Sequence, residues 1–423
     1  MKKRTGNKKF IHFHRSSLYK EERREVIKTL KSGWITTGPR TKRFEEEFKK
    51  YIGCRHAIGV NSCTAGLHLS LAALNISEGD EVITTPITFP ATANVIIHQR
   101  GTPVFVDVEM DTLNMDVSKI DERITKKTKA IMPVHFAGHP CNMDKITDIA
   151  KRHNLFIIED AAHAIESIYN GKKIGNIADF TSFSFYATKN ITTGEGGMLT
   201  TNNDEMAEKA RIMSLHGISK DAWKRYGRDG YQHWELFYPG FKYNMFDIQA
   251  AIGIHQLKRI DNFLEKRKRY VEMYNDAFKD IPEIVPLKSK GMDEFNPPVS
   301  PLSEGGINGG YKIRHAHHLY VIIIRTEELK ADRDKIMHEI QLRGVGVGVH
   351  FRTLHLQPYY QNKSPLHPPL PKGGTGGFEK GMFPVAEYVS DRVISLPLYP
   401  KMTISDVKYV IKVVNDVITR LRK

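Results

Sequence analysis

The sequence predicts an α/β protein built on an open, mostly parallel sheet that helices cover on both faces. Two observations support this fold class. From about residue 55, short apolar segments rich in Val, Ile, Phe and Thr alternate with helix-like segments. Apolar residues make up 40% of the 423 residues, which is enough for a large core. Alternating strands and helices are typical of parallel sheets, in which each crossover lays a helix against one face.

The first strand of this region is predicted at 56–62, where HAIGVNS leads into a helix over 65–74. A second helix is predicted at 144–152. Six other segments are predicted as strands because each is apolar and bounded by Gly, Pro or Asp. They are residues 81–86, 103–108, 129–136, 155–160, 179–186 and 196–201.

After Gly240 the pattern changes to one long helix followed by a second, smaller α/β unit. Apolar residues recur at gaps of three, four and seven, as on one helix face, at Leu257, Ile260, Leu264, Val271, Tyr274 and Phe278. A strand at 318–325 and helices at 332–343 and 405–421 follow.

The predicted organisation is therefore a basic tail at 1–14, a large domain at 15–258 and a small domain at 259–423. Two Pro- and Gly-rich segments, 297–312 and 367–380, resemble each other and lack periodicity. Such segments cannot bury much apolar surface, so we expect them to be loop insertions at the protein surface.

Composition and charge argue against several classes of protein. The net charge is +15, and residues 1–60 hold 17 Lys and Arg against 6 Asp and Glu, but no nucleic-acid-binding motif accompanies them. No run of 18 apolar residues predicts a membrane span, and the start lacks the apolar region of a signal peptide. Three cysteines without a C-x-x-C pattern predict neither disulfides nor a cysteine zinc site, so a reduced, cytoplasmic setting is expected.

The candidate site comes from residues at the ends of predicted strands. Asp160 ends the strand at 155–160, His163 follows it by three residues, and Lys189 lies in a polar, Gly-rich turn further on. Ligands of open α/β sheets bind beyond the carboxyl ends of strands. A lysine amine can form a Schiff base with pyridoxal 5′-phosphate (PLP), and the pyridine nitrogen of that cofactor needs an acidic partner. This pair of residues therefore indicates a PLP site.

Other residues could complete such a site. Residues 61–66 (NSCTAG) turn from a strand into a helix N-terminus, whose N–H groups suit a phosphate. Ser184 could add a hydroxyl group, and Phe89 an aromatic face for the pyridine ring.

Each residue also has a purely structural explanation. Asp160, Ser62 and Thr64 could be helix caps. Lys189 could be an ordinary loop lysine and His163 a core histidine. Their combination, in this order and at strand ends, favours the cofactor site.

Seven segments resemble the DegT/DnrJ family of PLP-dependent sugar aminotransferases, and most closely its UDP-4-amino-4-deoxy-L-arabinose–oxoglutarate aminotransferase branch. The resemblance runs from about residue 12 to the C-terminus, apart from the two Pro- and Gly-rich segments. The segments are GWITTGP (33–39), NSCTAGLHLSLAAL (61–74), PVHFAGHPCNMD (133–144), IEDAAHA (158–164), SFSFYATKNITTGEGG (182–197), GFKYNMFDIQAAIG (240–253) and GVGVGVHFRTLHLQPYY (344–360).

The resemblance implies a role for each matching residue. Lys189 matches the family's Schiff-base lysine and proton shuttle, Asp160 the partner of the pyridinium nitrogen, and His163 a residue beside the ring. The remaining matches are phosphate contacts at Thr64, Ala65 and Ser184, ring stacking by Phe89, a sugar-pocket residue at His350, and a contact to the partner subunit's cofactor phosphate at Asn244.

The resemblance also implies an aspartate-aminotransferase-like fold (PLP fold type I), a homodimer with composite active sites, and the reaction. L-Glutamate would aminate the cofactor and leave as 2-oxoglutarate, and the cofactor would then aminate a 4-keto sugar linked to UDP. Such a reaction would serve cell-envelope polysaccharide or lipid A sugar synthesis. A related branch of dehydrases carries His at the position of Lys189, so the lysine favours amino transfer. The alternatives are a 3-keto-sugar or pseudaminic-acid-pathway aminotransferase, and a non-catalytic regulatory or binding protein with a PLP fold.

Two further patterns resemble ligand sites, one for a dinucleotide and one for a metal, but neither has the arrangement that such a site requires. Residues 344–348 (GVGVG) resemble a dinucleotide-binding turn, but they follow a predicted helix and lead into a strand, which is the reverse of the order that such a turn requires. The histidines at 315, 317, 318, 350 and 355 suggest a metal cluster, but spacing on a strand places only His315 and His317 on one face. His317 also stands where the family usually has an aromatic residue. No metal site is predicted.

Overall fold

The computed structural model describes residues 10–218, 234–288, 312–361 and 377–423. Residues 1–9 of the predicted tail therefore lie outside the described residues. The same is true of nearly all of the first predicted insertion and of residues 367–376 of the second.

A seven-stranded sheet forms the centre of the large unit, with the order β1-β9-β8-β5-β4-β2-β3. All its strands run parallel except β9, which is antiparallel to β1 and β8. The strands of the whole chain are β1 His56–Val60, β2 Glu81–Thr84, β3 Thr102–Phe105, β4 Thr128–Ile131, β5 Phe156–Asp160, β6 Ile168–Tyr169, β7 Lys172–Lys173, β8 Phe180–Ser184, β9 Gly197–Thr201, β10 Ile284–Pro286, β11 Ile313–Arg314, β12 Tyr320–Ile324 and β13 Val393–Leu396. All seven predicted strands of this region are present, each shorter than predicted.

None of the helices in the described ranges is both long and apolar enough to cross a membrane.

Helices cover both faces of this sheet, as expected for parallel strands that are buried on both sides. The helices are α1 Lys20–Lys31, α2 Pro39–Ile52, α3 Cys63–Ala73, α4 Pro90–His98, α5 Met143–His153, α6 Asp204–Met213, α7 Asp247–Leu257, α8 Ile260–Phe278, α9 Arg333–Leu342, α10 Pro384–Ser390 and α11 Ile404–Leu421.

The C-terminal unit has its own antiparallel sheet, with the order β10-β12-β13, and its own core. The strand β12 is apolar throughout and packs with α8, α9 and α11. A further small sheet, β11-β6-β7, joins the two units, because β11 belongs to the C-terminal half and β6 to the large unit.

The prediction of one continuous helix from Leu257 to Phe278 is wrong: α7 ends at Leu257 and α8 begins at Ile260, because the chain leaves helical geometry at Arg259. The guanidinium of Arg259 binds the carboxylates of Glu21 and Glu22 on α1. The apolar face also serves two cores, since Leu257 packs in the large unit and Phe278 in the C-terminal unit. Periodicity alone could not show this, because the gap of three residues across the break still matches a helix.

Part of the predicted basic tail is packed against the C-terminal unit. Ile11 is buried in the second core and pairs in parallel with Val345 through two backbone hydrogen bonds. Gly346 allows this approach, because a Cβ atom there would lie 2.7 Å from the backbone nitrogen of Phe13. The GVGVG segment therefore packs against the N-terminal residues around Ile11.

Candidate active site

The carboxyl ends of β1, β2, β5 and β8 meet at one edge of the sheet, because these strands are parallel. A cleft of about 1050 Å³ opens there and is closed on its other side by residues 349–360 of the C-terminal unit. Seven of the predicted site residues line it: Thr64, Phe89, Asp160, His163, Ser184, Lys189 and His350.

Asp160 is the last residue of β5 and is buried at the base of the cleft. Its Oδ2 atom accepts a hydrogen bond of 2.8 Å from the hydroxyl of Thr92, and its Oδ1 atom accepts one of 3.1 Å from the backbone N–H of Ala162. The thiol of Cys63 lies 3.9 Å from Oδ1. A carboxylate has about four acceptor positions, so Asp160 is oriented and can still accept one more donor.

Lys189 lies in the loop between β8 and β9, where its backbone N–H donates to the carbonyl of Tyr186. Burial of the amine lowers its pKa from 10.5 to about 8, and the nearby groups of Cys63 and Asp160 oppose this change. No described residue forms a hydrogen bond with the amine. A partly neutral amine without a bound partner is what covalent capture of a carbonyl requires.

His163 is buried between two rings beside Lys189. Its ring stacks on that of His318 at a centroid distance of 4.3 Å and lies nearly parallel to that of Phe351 at 6.1 Å. Burial, and then electrostatic interaction with Lys189 and His350, keeps its pKa well below the usual value, so the ring is neutral. Its Nδ1 atom is buried and has no hydrogen-bond partner among the described residues.

The N-terminus of α3 faces the cleft. Ser62 caps this helix, and its hydroxyl accepts a hydrogen bond of 3.1 Å from the N–H of Ala65. The N–H groups of Cys63 and Thr64 have no acceptor within the helix, as expected for its first turn. Gly197 of β9 packs directly against this turn, where a Cβ atom would lie 2.6 Å from the carbonyl carbon of Ser62. The turn is therefore held with two donors available to an anion.

His350 lies on the wall that the C-terminal unit contributes. Its Nδ1 atom is 2.8 Å from the hydroxyl of Ser395, and its ring stacks on Phe13. Burial lowers its pKa to about 4, with the charge of Lys189 acting in the same direction. Arg352 lies two residues further along the same wall, is exposed, and makes no ion pair with a described residue.

Two predicted residues do not reach the cleft of their own chain. Ala65 lies behind the helix turn, with its N–H already bound to Ser62. Asn244 lies beside β1, where its amide donates to the hydroxyl of Thr37 at 2.6 Å. The Oδ1 atom of Asn244 is buried without a partner among the described residues.

The histidines that suggested a metal cluster do not come together at one point; they pack in separate places. His315 and His317 stack on each other at 4.5 Å, while His318 faces His163. No group of three potential metal ligands is present in the described part of the chain.

Three residues at the site were not predicted from the sequence. Thr92 orients Asp160, Cys63 lies against the same carboxylate, and Arg352 lines the cleft. Arg352 lies in the segment 344–360 that carries the family resemblance, so the sequence could have indicated that it belongs to the site. Thr92 is far from Asp160 in the chain, and only the fold brings the two together.

These residues fit pyridoxal phosphate. Asp160 has one acceptor position left for a protonated ring nitrogen, and Lys189 offers an amine. The first turn of α3 and the hydroxyls of Thr64 and Ser184 offer donors to a phosphate. The orphaned Nδ1 atom of His163 offers a further polar contact at the cleft.

Comparison with known proteins agrees with this fit. The family model described as "DegT/DnrJ/EryC1/StrS aminotransferase family" matches residues 16–415. The chain is 50% identical to the protein MJ1066 of Methanocaldococcus jannaschii over 98% of its own length and 99% of that protein. It is 44% identical to the spore coat polysaccharide biosynthesis protein SpsC of Bacillus subtilis, over 97% of each chain.

Among solved structures, the fold matches Spr1654 from Streptococcus pneumoniae, which is named as a sugar aminotransferase and was solved in PLP and PMP forms. The PMP form gives a TM-score of 0.84 and 34% identity, over 97% of this chain and 99% of that one. These matches cover both units and the cleft between them, and they confirm the aminotransferase fold and the cofactor. The chain belongs to the DegT/DnrJ/EryC1/StrS family and is a PLP-dependent sugar aminotransferase.

Proposed function

We propose that this enzyme transfers an amino group from L-glutamate to a 4-keto sugar linked to a nucleotide, in the synthesis of a surface polysaccharide. The size and lining of the cleft carry this proposal. Its volume of about 1050 Å³ is at the upper end for small-molecule sites, which suits a cofactor and a bulky substrate together. The lining also includes the guanidinium of Arg352 and the ring of Tyr359, groups that suit a diphosphate and a planar base. The likeness to SpsC supports a polysaccharide precursor as the product.

The residues of the cleft divide the chemical work. Bound there, pyridoxal phosphate supplies the electron sink for the carbanion that amino transfer requires. With the cofactor bound, Lys189 would hold it covalently and would move a proton to and from the substrate carbon as general acid and base. Asp160, which Thr92 and Ala162 hold in place, would accept a hydrogen bond from the ring nitrogen. The neutral imidazoles of His163 and His350 act as uncharged hydrogen-bonding groups.

We also propose that two copies of the chain form composite sites. Asn244 has a buried, unpaired oxygen yet does not line its own cleft. Its hydrogen-bond partner Thr37 follows a segment whose large apolar side chains are solvent-exposed in one chain: Trp34 is 42% exposed and Ile35 is 51% exposed. Phe246 is 39% exposed on the other side of Asn244. Clustered apolar exposure of this kind marks an interface, and a second copy would cover it.

The lowered pKa of Lys189 predicts how cofactor capture depends on pH. Only the neutral amine attacks a carbonyl, so capture of PLP by cofactor-free protein should speed up as pH rises and level off above about pH 8. At pH 7 roughly a tenth of the amine is neutral. Stopped-flow visible absorbance measures the rate.

Lys173 provides the control for this measurement, because burial lowers its pKa to about 7 as well but it lies outside the cleft. The variant Lys173→Gln should give the same pH curve as the natural protein. A midpoint near pH 10.5 in the natural protein, or one that moves in Lys173→Gln, would show that Lys189 is not the capturing amine.

The substrate is tested by supplying ¹⁵N-labelled L-glutamate with a panel of UDP- and dTDP-linked 4-keto and 3-keto sugars, including those of pseudaminic acid type. Mass spectrometry should find ¹⁵N in an aminated, nucleotide-linked 4-keto sugar. Labelling of a 3-keto sugar alone, or of sugars without a nucleotide, would overturn the proposed substrate. Failure of glutamate, with success of another amino acid, would overturn the proposed donor.

A further inference from the structure

Lys189 borders a second cavity, smaller than the substrate cleft. Its volume is about 30 Å³, which suits one or two water molecules. Three histidines, His14, His318 and His350, share its wall with Lys189 and Thr188. The Nε2 atom of His14 is buried with no hydrogen-bond partner among the described residues. One part of the chamber wall is therefore polar, and Lys189 shares that part with three imidazoles, while Phe13 and three leucines complete the lining.

The residue next to Lys189 determines which nitrogen of His318 carries a proton. The amide nitrogen of Asn190 donates to Glu166 Oε2 at 2.5 Å and to the carbonyl of Ala316 at 3.2 Å. Both of these oxygens can only accept, so the NH₂ group of Asn190 must face them and its Oδ1 atom must face His318. Oδ1 lies 2.6 Å from Nδ1 of His318 and can only accept. Nδ1 of His318 is therefore protonated.

A buried ion pair holds Asn190 in this orientation. Glu166 is fully buried, and its Oε1 atom lies 2.5 Å from Nη2 of Arg267 on α8. The same guanidinium donates to the carbonyls of Ala316 and His317. Arg267 thus fixes the carboxylate of Glu166 with its Oε2 atom facing the amide nitrogen of Asn190. The long helix of the C-terminal unit is linked in this way, through Arg267, Glu166 and Asn190, to the segment that carries Lys189.

The surroundings of His318 keep its ring neutral. Burial lowers its pKa well below the usual value, and the facing groups of His163, Lys189, His350 and Arg267 all act in the same direction. A neutral imidazole with its proton on Nδ1 has a free electron pair on Nε2, which can accept a hydrogen bond.

We propose that His318 is a positioning residue for Lys189: its Nε2 atom accepts a hydrogen bond from the lysine nitrogen through one water in the chamber. The Arg267–Glu166–Asn190 chain fixes the tautomer that makes this possible. The hydrogen bond favours the protonated lysine nitrogen and orients it when Lys189 carries the proton between cofactor and substrate. This inference rests on Lys189 being the cofactor lysine, but not on the identity of the sugar or the amino donor.

The tautomer can be measured directly on the natural holoenzyme. ¹⁵N NMR of histidine-labelled protein should include the signal of a neutral ring that is protonated at Nδ1 and unprotonated at Nε2 and that disappears in His318→Phe. A signal for His318 with its proton on Nε2, or with both nitrogens protonated at pH 7, would overturn the proposal.

The effect on Lys189 is measured by titrating the visible absorbance band of the holoenzyme against pH. Loss of an acceptor destabilises the protonated nitrogen, so the midpoint in His318→Phe should fall by about one pH unit. The variant Asn190→Ala keeps the ring of His318 but removes the acceptor that fixes its proton on Nδ1. It should shift the midpoint in the same direction by a smaller amount. This second variant serves if His318→Phe does not fold.

His317→Phe is the matched control. This histidine is also buried and adjacent in sequence, but it borders a different cavity and places an aromatic ring where the resemblance expects one. Its midpoint should equal that of the natural enzyme. An unchanged midpoint in both His318→Phe and Asn190→Ala, or an equal shift in His317→Phe, would reduce His318 to a packing residue. Neither readout requires a sugar or glutamate, so failure of the substrate assay would leave this test intact.

Discussion

Replacing Asp160 by Asn is expected to lower the rate of the half-reaction with glutamate by at least ~10²-fold while leaving the fold intact. The amide keeps the size of the carboxylate, and its single oxygen can still accept from either Thr92 or Ala162. It cannot hold a proton on the ring nitrogen of the cofactor by charge, so the cofactor loses most of its capacity to accept electrons. Single-turnover visible absorbance after mixing with glutamate measures the rate.

Asp179 gives a matched control for this variant. It is another partly buried acid, and it accepts a hydrogen bond of 2.8 Å from the backbone of Ile157 at the opposite end of the sheet. The variant Asp179→Asn should react at nearly the natural rate. If Asp160→Asn did so as well, Asp160 would serve only to orient the chain after β5.

Co-expression of two inactive variants, Lys189→Ala and Asn244→Asp, is expected to restore about a quarter of the natural activity. If Asn244 acts at the partner's site, a mixed dimer carries both defects in one site and none in the other. Random pairing makes half of the dimers mixed, and each has one intact site of two. The effect is measured as the activity of the whole dimer mixture, purified without selection for mixed dimers. The variant Asn244→Asp alone must first be shown to be strongly impaired.

A second mixture tests the same logic within one chain. Lys189 and Asp160 line the cleft of a single chain, so co-expressing Lys189→Ala with Asp160→Asn leaves a defect in every site of the mixed dimer. No activity beyond that of the separate variants should appear. Equal recovery in both mixtures, or none in either, would contradict a composite site that depends on Asn244.

Much of the fold could be predicted because parallel strands buried on both faces appear as short, continuous apolar runs. All seven strands that such runs predicted in the large unit are present. The direction of β9 could not be predicted, because an apolar run is the same for a parallel and an antiparallel strand. The break at Arg259 was missed because the ion pairs that hold it join residues more than 200 positions apart.

The candidate site was predictable where chemistry and strand ends coincide. Asp160 and Lys189 could be found because an acid and a lysine each stand just beyond an apolar strand. Their supporting residues depend on contacts that sequence does not show: Thr92 lies 68 residues from Asp160, and His318 lies 128 residues from Asn190. The capping of α3 by Ser62 could be predicted, because serine is a preferred N-cap residue whose hydroxyl accepts from the third N–H of its helix, here that of Ala65.

Reduction of the holoenzyme with borohydride, followed by peptide mapping, tests the central claim most directly. Borohydride fixes the cofactor to the amine that holds it. If the cleft at the strand ends is the active site, a single adduct should appear on Lys189, and the variant Lys189→Ala should give none. An adduct on another lysine, such as Lys173 with its similarly lowered pKa, would contradict the assignment of this cleft.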